Sequence, residues 1–132
     1  MKLFLSIVAA MLVCTTGLTA QTSDVKSLSM VETERAFARM SEVSGTRPSF
    51  MAFIEEEGIL FRPKAVKGKK WMLEHPLPVS DKRDLLSWGP SFADLASSGD
   101  MGYTFGPWQH KRNINDEKPG AFGHFVTIWR KQ

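Results

Sequence analysis

The chain has 132 residues, a formal net charge of +3 and a single cysteine, Cys14. This length allows at most one domain with a small core. The small charge and the lack of a Lys/Arg cluster with interleaved aromatic residues argue against nucleic-acid binding, and one cysteine excludes an internal disulfide or a thiolate metal site.

Residues 1–20 have the pattern of a signal peptide. Lys2 supplies a positive charge, Leu3–Val13 an apolar run, and Ala20 a small residue suited to cleavage. The apolar run is shorter than the roughly 20 residues that span a bilayer, so a retained membrane anchor is the weaker alternative, and lipid attachment at Cys14 is weaker still. We therefore expect a secreted or periplasmic protein that has no membrane association after cleavage. Its net charge falls to about +2, and it keeps no thiol nucleophile.

Apolar spacing predicts two helices after a short lead-in. Gln21–Ser27 is polar and is predicted to be flexible. Leu28–Val43 repeats apolar residues at intervals of three and four, which predicts a long helix with one buried face, and Gly45 is placed to end it. A second helix opens at Thr46 and has Pro48 in its first turn. We place the folded domain at residues 28–132.

The middle of the chain predicts short elements and one longer strand. Ile59–Phe61 is a short strand and Lys69–His75 a third helix. Leu85–Ala96 is a strand candidate with an edge position or a bulge at Pro90, because proline cannot donate to a sheet ladder. Lys64–Lys70 contains four lysines and is interpreted as a solvated loop.

The last third of the chain predicts a long antiparallel hairpin. Its strands are Met101–His110 and Ala121–Arg130, and Lys111–Gly120 forms a polar loop between them. Alternate residues of the second strand point to opposite faces of the sheet, and both sets are largely apolar. We therefore expect each face of this strand to pack against another part of the protein. Helices come first and antiparallel strands follow, which predicts an α+β fold.

These segments together resemble the nuclear transport factor 2-like superfamily, in its SnoaL-like branch of small exported domains of unknown function. The resemblance rests on ERAFARMSEVSG, EEGILFRPKAVKGKKWM, SSGDMGYTFGPW and GHFVTIWRKQ, in this order. It implies a cone-shaped curved antiparallel sheet wrapped around a long N-terminal helix, with two shorter helices and a pocket at the wide end. The superfamily hosts isomerases, dehydratases, cyclases, hydrolases and non-catalytic domains.

The sequence lacks one strand that the superfamily usually has after the Trp-Arg-Lys strand. We therefore expect an exposed edge on Ala121–Arg130. Three explanations stay open: a partner chain covers the edge, the sequence is C-terminally truncated, or the protein is less stable than its relatives.

Three residues are catalytic candidates. His124 can act in general acid–base chemistry, and Tyr103, the only tyrosine, can donate to a developing oxyanion. Asp94 is an even number of residues from Trp88 and Phe92, so its carboxylate can lie on the same face of the strand and point into the pocket. In enzymes of the superfamily, an aspartate in the pocket often serves as the base. The alternatives are a structural histidine, a half-buried tyrosine and a surface aspartate.

Three further residues are ligand-binding candidates. Arg62 can hold an anionic group through a forked contact, and Trp88 and Trp108 can line an apolar pocket for a ring-shaped ligand. A surface arginine and core tryptophans are the plainer alternatives. His75 and His110 have no metal-ligand spacing with another histidine, so no metal is predicted, and the chain has no P-loop or dinucleotide fingerprint that would imply a cofactor.

Three functions fit this sequence. The first is an exported domain that binds a small apolar or aromatic ligand. The second is a lyase or isomerase that moves a proton on a small apolar ring compound, which requires Asp94 to share a cavity with His124 or Tyr103. The third is an interaction module that forms a homodimer through its sheet.

Overall fold

The computed structural model describes residues 17–77 and 83–132, with side chains from residue 27 onward. Most of the predicted signal peptide therefore lies outside the described residues. The helices are α1 (Gly17–Ser44), α2 (Thr46–Phe53) and α3 (Gly68–Glu74). The strands are β1 (Ile59–Phe61), β2 (Ala65–Lys67), β3 (Leu85–Trp88), β4 (Phe92–Leu95), β5 (Met101–Lys111) and β6 (Ala121–Arg130). The predicted α+β class is confirmed, and none of the described helices is both long and apolar enough to cross a membrane.

Helix α1 is longer than its apolar spacing predicts. It begins at Gly17, so Gln21–Ser27 is helical and not a flexible lead-in. It ends at Ser44 because Gly45 adopts a φ of 100°, a conformation that only glycine adopts without strain. The Gly45 N–H still donates to the Ser41 carbonyl at 3.0 Å. The predicted end of the helix is confirmed.

A small β-hairpin and a short helix connect α2 to the main sheet. β1 matches its prediction, whereas β2 lies in the segment predicted as a solvated loop and pairs antiparallel with β1. α3 begins one residue before its predicted start, at Gly68. A Cβ atom there would lie 3.1 Å from the Leu60 side chain, so glycine allows the helix to start close to β1.

Strand β5 is the centre of the main sheet. β6 pairs antiparallel along one of its edges, and β3 and β4 share the other edge. The predicted hairpin is confirmed, and its first strand extends one residue further, to Lys111. Within the described part of the chain, β6 has no strand partner on its second edge.

The interruption around Pro90 shifts the side-chain alternation by one residue. Trp88 pairs with Trp108 and Phe92 pairs with Phe105, so four steps along β3–β4 match three steps along β5. One extra residue in one strand is a β-bulge. Trp88 and Phe92, which the sequence placed on one face, therefore lie on opposite faces.

The bulge depends on a glycine in the central strand. A Cβ atom at Gly106 would lie 2.0 Å from the Gly89 carbonyl oxygen, whereas a Cβ atom at Gly89 would meet nothing within 4 Å. The bulged strand can approach β5 this closely only because Gly106 has no side chain.

The two faces of the main sheet differ in how far other elements pack against them. We call the side against which α1 packs the inner face and the opposite side the outer face. On the inner side, the Phe37 ring of α1 lies 4.8 Å from the Phe50 ring, 5.0 Å from the Phe53 ring and 4.8 Å from the Trp88 ring. On the outer face, six large apolar side chains are exposed: Phe92, Met101, Phe105, Phe122, Val126 and Ile128.

Candidate functional site

Glu34 lies on α1 at the centre of the inner face and has no exposed surface. Its carboxyl group accepts hydrogen bonds from Trp88 Nε1 at 2.5 Å, Thr104 Oγ1 at 2.6 Å and Trp129 Nε1 at 3.0 Å. A buried carboxyl group needs such donors, because burial without partners is costly. The donors belong to β3, β5 and β6, so one side chain of α1 is bonded to three strands. We call these four residues the Glu34 cluster.

The sequence pattern did not reveal Glu34. The buried stripe of α1 consists of Met30, Glu34, Phe37, Ala38 and Ser41. Leu28 and Val43, at the ends of the predicted apolar face, are instead exposed. Glu34 sits four residues after Met30 and three before Phe37, which is the helical spacing of one face, and this spacing is the signal that could have found it.

A cavity of about 1760 Å³ opens beside the Glu34 cluster, between β6 and the β1–β2 hairpin. Nine aromatic side chains line it: Phe37, Phe50, Phe53, Phe61, Trp71, Trp88, Trp108, Phe125 and Trp129. The bonds to Glu34 orient Trp88 and Trp129, so the cluster fixes part of the cavity wall. Walls of this composition suit flat apolar ligands.

The three ligand-binding candidates, Arg62, Trp88 and Trp108, all line this cavity. The Arg62 guanidinium lies 5.5 Å above the centre of the Trp71 ring, and the same ring stacks on His75 at 4.5 Å. Stacking on an aromatic face is a contact that arginine makes well, because its guanidinium is planar and weakly hydrated. The binding role of the three residues stays a prediction.

The three catalytic candidates lie on the outer face, away from the cavity. Asp94 pairs with Tyr103 across β4 and β5, and the His124 ring stacks on Phe105 at 5.3 Å. The Asp94 carboxylate is exposed and accepts from the Leu95 N–H at 2.8 Å. The β-bulge explains its position, since the extra residue turns Asp94 to the opposite face from Trp88. These side chains therefore do not form the shared cavity that their proposed chemistry requires.

A different histidine and acid meet at the cavity. His110 Nε2 lies 3.2 Å from Asp84 Oδ2, and both residues line the cavity wall. The register of the sheet brings them together, because His110 pairs with Leu86 near the start of β3. An acid beside a histidine orients the ring for proton transfer. The two residues are 26 positions apart in the sequence, so no local sequence motif predicts that they form a pair.

Most charged side chains of the cavity wall are paired. Two ion pairs lie in it, Lys69–Glu56 and Arg130–Glu55, and Glu57 of the wall pairs with Lys67. The hydrogen bond and the charge of Lys67 lower the pKa of the Glu57 carboxyl below its usual value. Arg62 is exposed and has no ion pair within residues 17–77 and 83–132, and its guanidinium lies over the Trp71 ring.

Neither a metal cluster nor a known relative identifies the site. Among the described residues, no group of three or more His, Cys, Asp or Glu side chains can hold a metal ion. Comparisons with protein-family models, curated proteins and solved structures gave no match. The candidate site is therefore defined by its geometry: the aromatic cavity, the Glu34 cluster and the His110–Asp84 pair.

Proposed function

We propose that the protein is an exported small-molecule-binding domain of the nuclear transport factor 2-like type, whose sheet curves as a cone around α1. The observation that carries this proposal is the aromatic cavity beside a buried glutamate that holds two of its indoles. The order of helices and antiparallel strands supports the fold type, and the apolar run near the N-terminus supports export.

The ligand class follows from the cavity wall. Flat rings stack favourably on indole and phenyl faces, so the preferred ligand is a small aromatic compound. Arg62 adds a cation beside this wall, and it can bind a carboxylate or sulfonate on the ligand. We therefore propose that the ligand is an aromatic anion.

The probe 8-anilinonaphthalene-1-sulfonate tests this proposal, since it combines fused rings with a sulfonate. We expect saturable binding to the exported chain, followed by probe fluorescence. Trp108→Ala should weaken binding by about tenfold, or ~1.4 kcal/mol, because it removes one ring face from the wall.

Phe122→Ala is the matched control, because it removes an aromatic ring that is 80% exposed on the outer face. It should leave the affinity unchanged. Equal weakening by both substitutions, or binding that never saturates, contradicts a ligand site in the cavity.

A lyase or isomerase is a second candidate, and the His110–Asp84 pair favours it. His110 takes a proton from a carbon atom next to a carbonyl group of the ring ligand, and Asp84 orients the imidazole. Asp94, Tyr103 and His124 take no part, because they lie on the opposite face of the sheet.

Hydrogen exchange of ring ketones in deuterated water, followed by NMR with 2-tetralone as the first compound, tests this chemistry. We expect exchange about a hundredfold above the buffer rate, lost in His110→Gln and kept in the outer-face control His124→Gln. Exchange at the buffer rate, or equal loss in both variants, excludes this role for the pair.

A homodimer through the sheet is a further proposal, and the outer face supports it. Exposed apolar surface formed by neighbouring strands is typical of association sites, and a two-fold axis lets one patch pair with its copy. Phe105 lies near the middle of this face, between Phe92 and Val126 in the strand register.

Sedimentation equilibrium tests the dimer. We expect the unsubstituted chain to be dimeric and Phe105→Glu to be monomeric, because a charge is then buried in the interface. Phe61→Glu is the matched control, since Phe61 is 77% exposed but lies on β1, outside the main sheet. A monomeric unsubstituted chain rules out the proposal.

A further inference from the structure

Two buried polar atoms beside the cavity have no hydrogen-bond partner in the described part of the chain. They are Oγ1 of Thr46 and Nε of Arg47, the first two residues of α2, and both residues line the cavity. Buried polar atoms of native proteins are nearly always hydrogen-bonded, because an unpaired one is costly. Two such atoms on consecutive residues indicate a partner that the described residues do not supply.

The other polar atoms around these two take part in the fold. Arg47 Nη1 donates to the Met72 carbonyl, and Nη2 donates to the His75 carbonyl at 2.5 Å, so the guanidinium is fixed against the end of α3. The Thr46 carbonyl accepts from Ser49 Oγ at 2.8 Å. Among the described residues, the Arg47 cation bonds only to carbonyl oxygens and to no carboxylate. Its remaining donor, Nε, is thus held in place and can still bind an acceptor.

The start of α2 lies near the other polar groups of the cavity wall. Ser41, near the end of α1, donates to the Leu86 carbonyl of β3 at 2.9 Å, and α2 follows α1 after a single residue. His110 pairs with Leu86 in the sheet and lies 3.2 Å from Asp84. The first residues of α2 and the His110–Asp84 pair therefore belong to the same end of the cavity, and this end is polar.

We propose that Thr46 and Arg47 bind a carbonyl oxygen of the ligand while its ring lies against the aromatic wall. Arg47 Nε can only donate, so the group that it binds is an acceptor, and a charged donor makes a stronger bond than a neutral one. Rotation about the Cα–Cβ bond of Thr46 exchanges its hydroxyl and methyl groups, so the hydroxyl can turn toward the same oxygen. The inference rests on the proposed ligand site and adds a second polar group to the ligand, besides the anionic group that Arg62 can bind.

Two ring compounds that differ in one oxygen atom test the proposal: 2-tetralone, which has a ring carbonyl, and tetralin, which has none. Their dissociation constants with the exported chain are measured by equilibrium dialysis. A carbonyl that finds no donor loses its hydration on binding, so a purely apolar site binds tetralin more tightly. We expect the reverse, a dissociation constant about tenfold lower for 2-tetralone.

Thr46→Val exchanges only the hydroxyl for a methyl group, and it should abolish the preference for 2-tetralone. Ser41→Ala is the matched control, because it removes a nearby buried hydroxyl that has a partner and lies outside the cavity wall. It should keep the preference. The melting temperatures should show the opposite order: Ser41→Ala lowers the value by roughly 5 °C, since the Leu86 carbonyl loses its donor, whereas Thr46→Val does not lower it.

The inference is overturned if the unsubstituted chain binds both compounds equally or binds tetralin more tightly. It is also overturned if Thr46→Val keeps the preference, or if Ser41→Ala loses it to the same extent. A larger fall in melting temperature for Thr46→Val than for Ser41→Ala overturns it as well, because the hydroxyl then has a partner within the fold. Failure of both compounds to bind the unsubstituted chain is a different result, which overturns the ligand site itself and this inference with it.

Discussion

The hydrogen bonds to the Glu34 carboxyl group hold the helix and the sheet in one arrangement. Two indoles and one hydroxyl converge on this group from three strands, and the glutamate itself has no exposed surface. Each donor left unpaired there costs about 1–3 kcal/mol, so the arrangement is strongly preferred over a shifted one. The same bonds direct the nitrogen edges of Trp88 and Trp129 inward and leave the rings to form the cavity wall. The packing of the helix on the sheet and the wall of the proposed binding site thus depend on the same three hydrogen bonds.

The cavity and the outer face of the sheet meet at Val126 and Ile128 of β6 and have different proposed uses. The cavity is aromatic and lies beside a histidine–acid pair, so it suits a small ring compound. The outer face is apolar, exposed and formed by the regular β4–β5–β6 pairing, so it suits another protein surface.

Local signals predicted much of the fold. The hairpin strands, the strand at Ile59–Phe61 and the helix end at Gly45 each depend on a few neighbouring residues, and all are confirmed. The side-chain alternation after Pro90 could not be predicted, because it depends on how many residues the bulge contains. That number is set by the close approach of the strand to Gly106, which is distant in sequence. For this reason the alternation of Trp88 and Phe92 allowed an inward Asp94, whereas the side chain is exposed on the outer face.

Less of the candidate site than of the fold could be predicted from the sequence. Trp88 and Trp108 line the cavity, and their binding role stays a prediction. Glu34 was missed because a glutamate in an amphipathic helix is normally assigned to the solvent side, and only its three distant donors make its burial favourable. The His110–Asp84 pair was missed because it exists only in the register of β3 with β5.

Urea unfolding of Glu34→Ala, followed by circular dichroism, tests the central claim most directly. The matched control is Glu32→Ala, which removes an exposed glutamate from the same helix. If Glu34 holds the helix to the sheet, the free energy of unfolding should fall by about 3 kcal/mol or more in Glu34→Ala and by less than about 0.5 kcal/mol in Glu32→Ala. An equally small change in both variants would contradict the account.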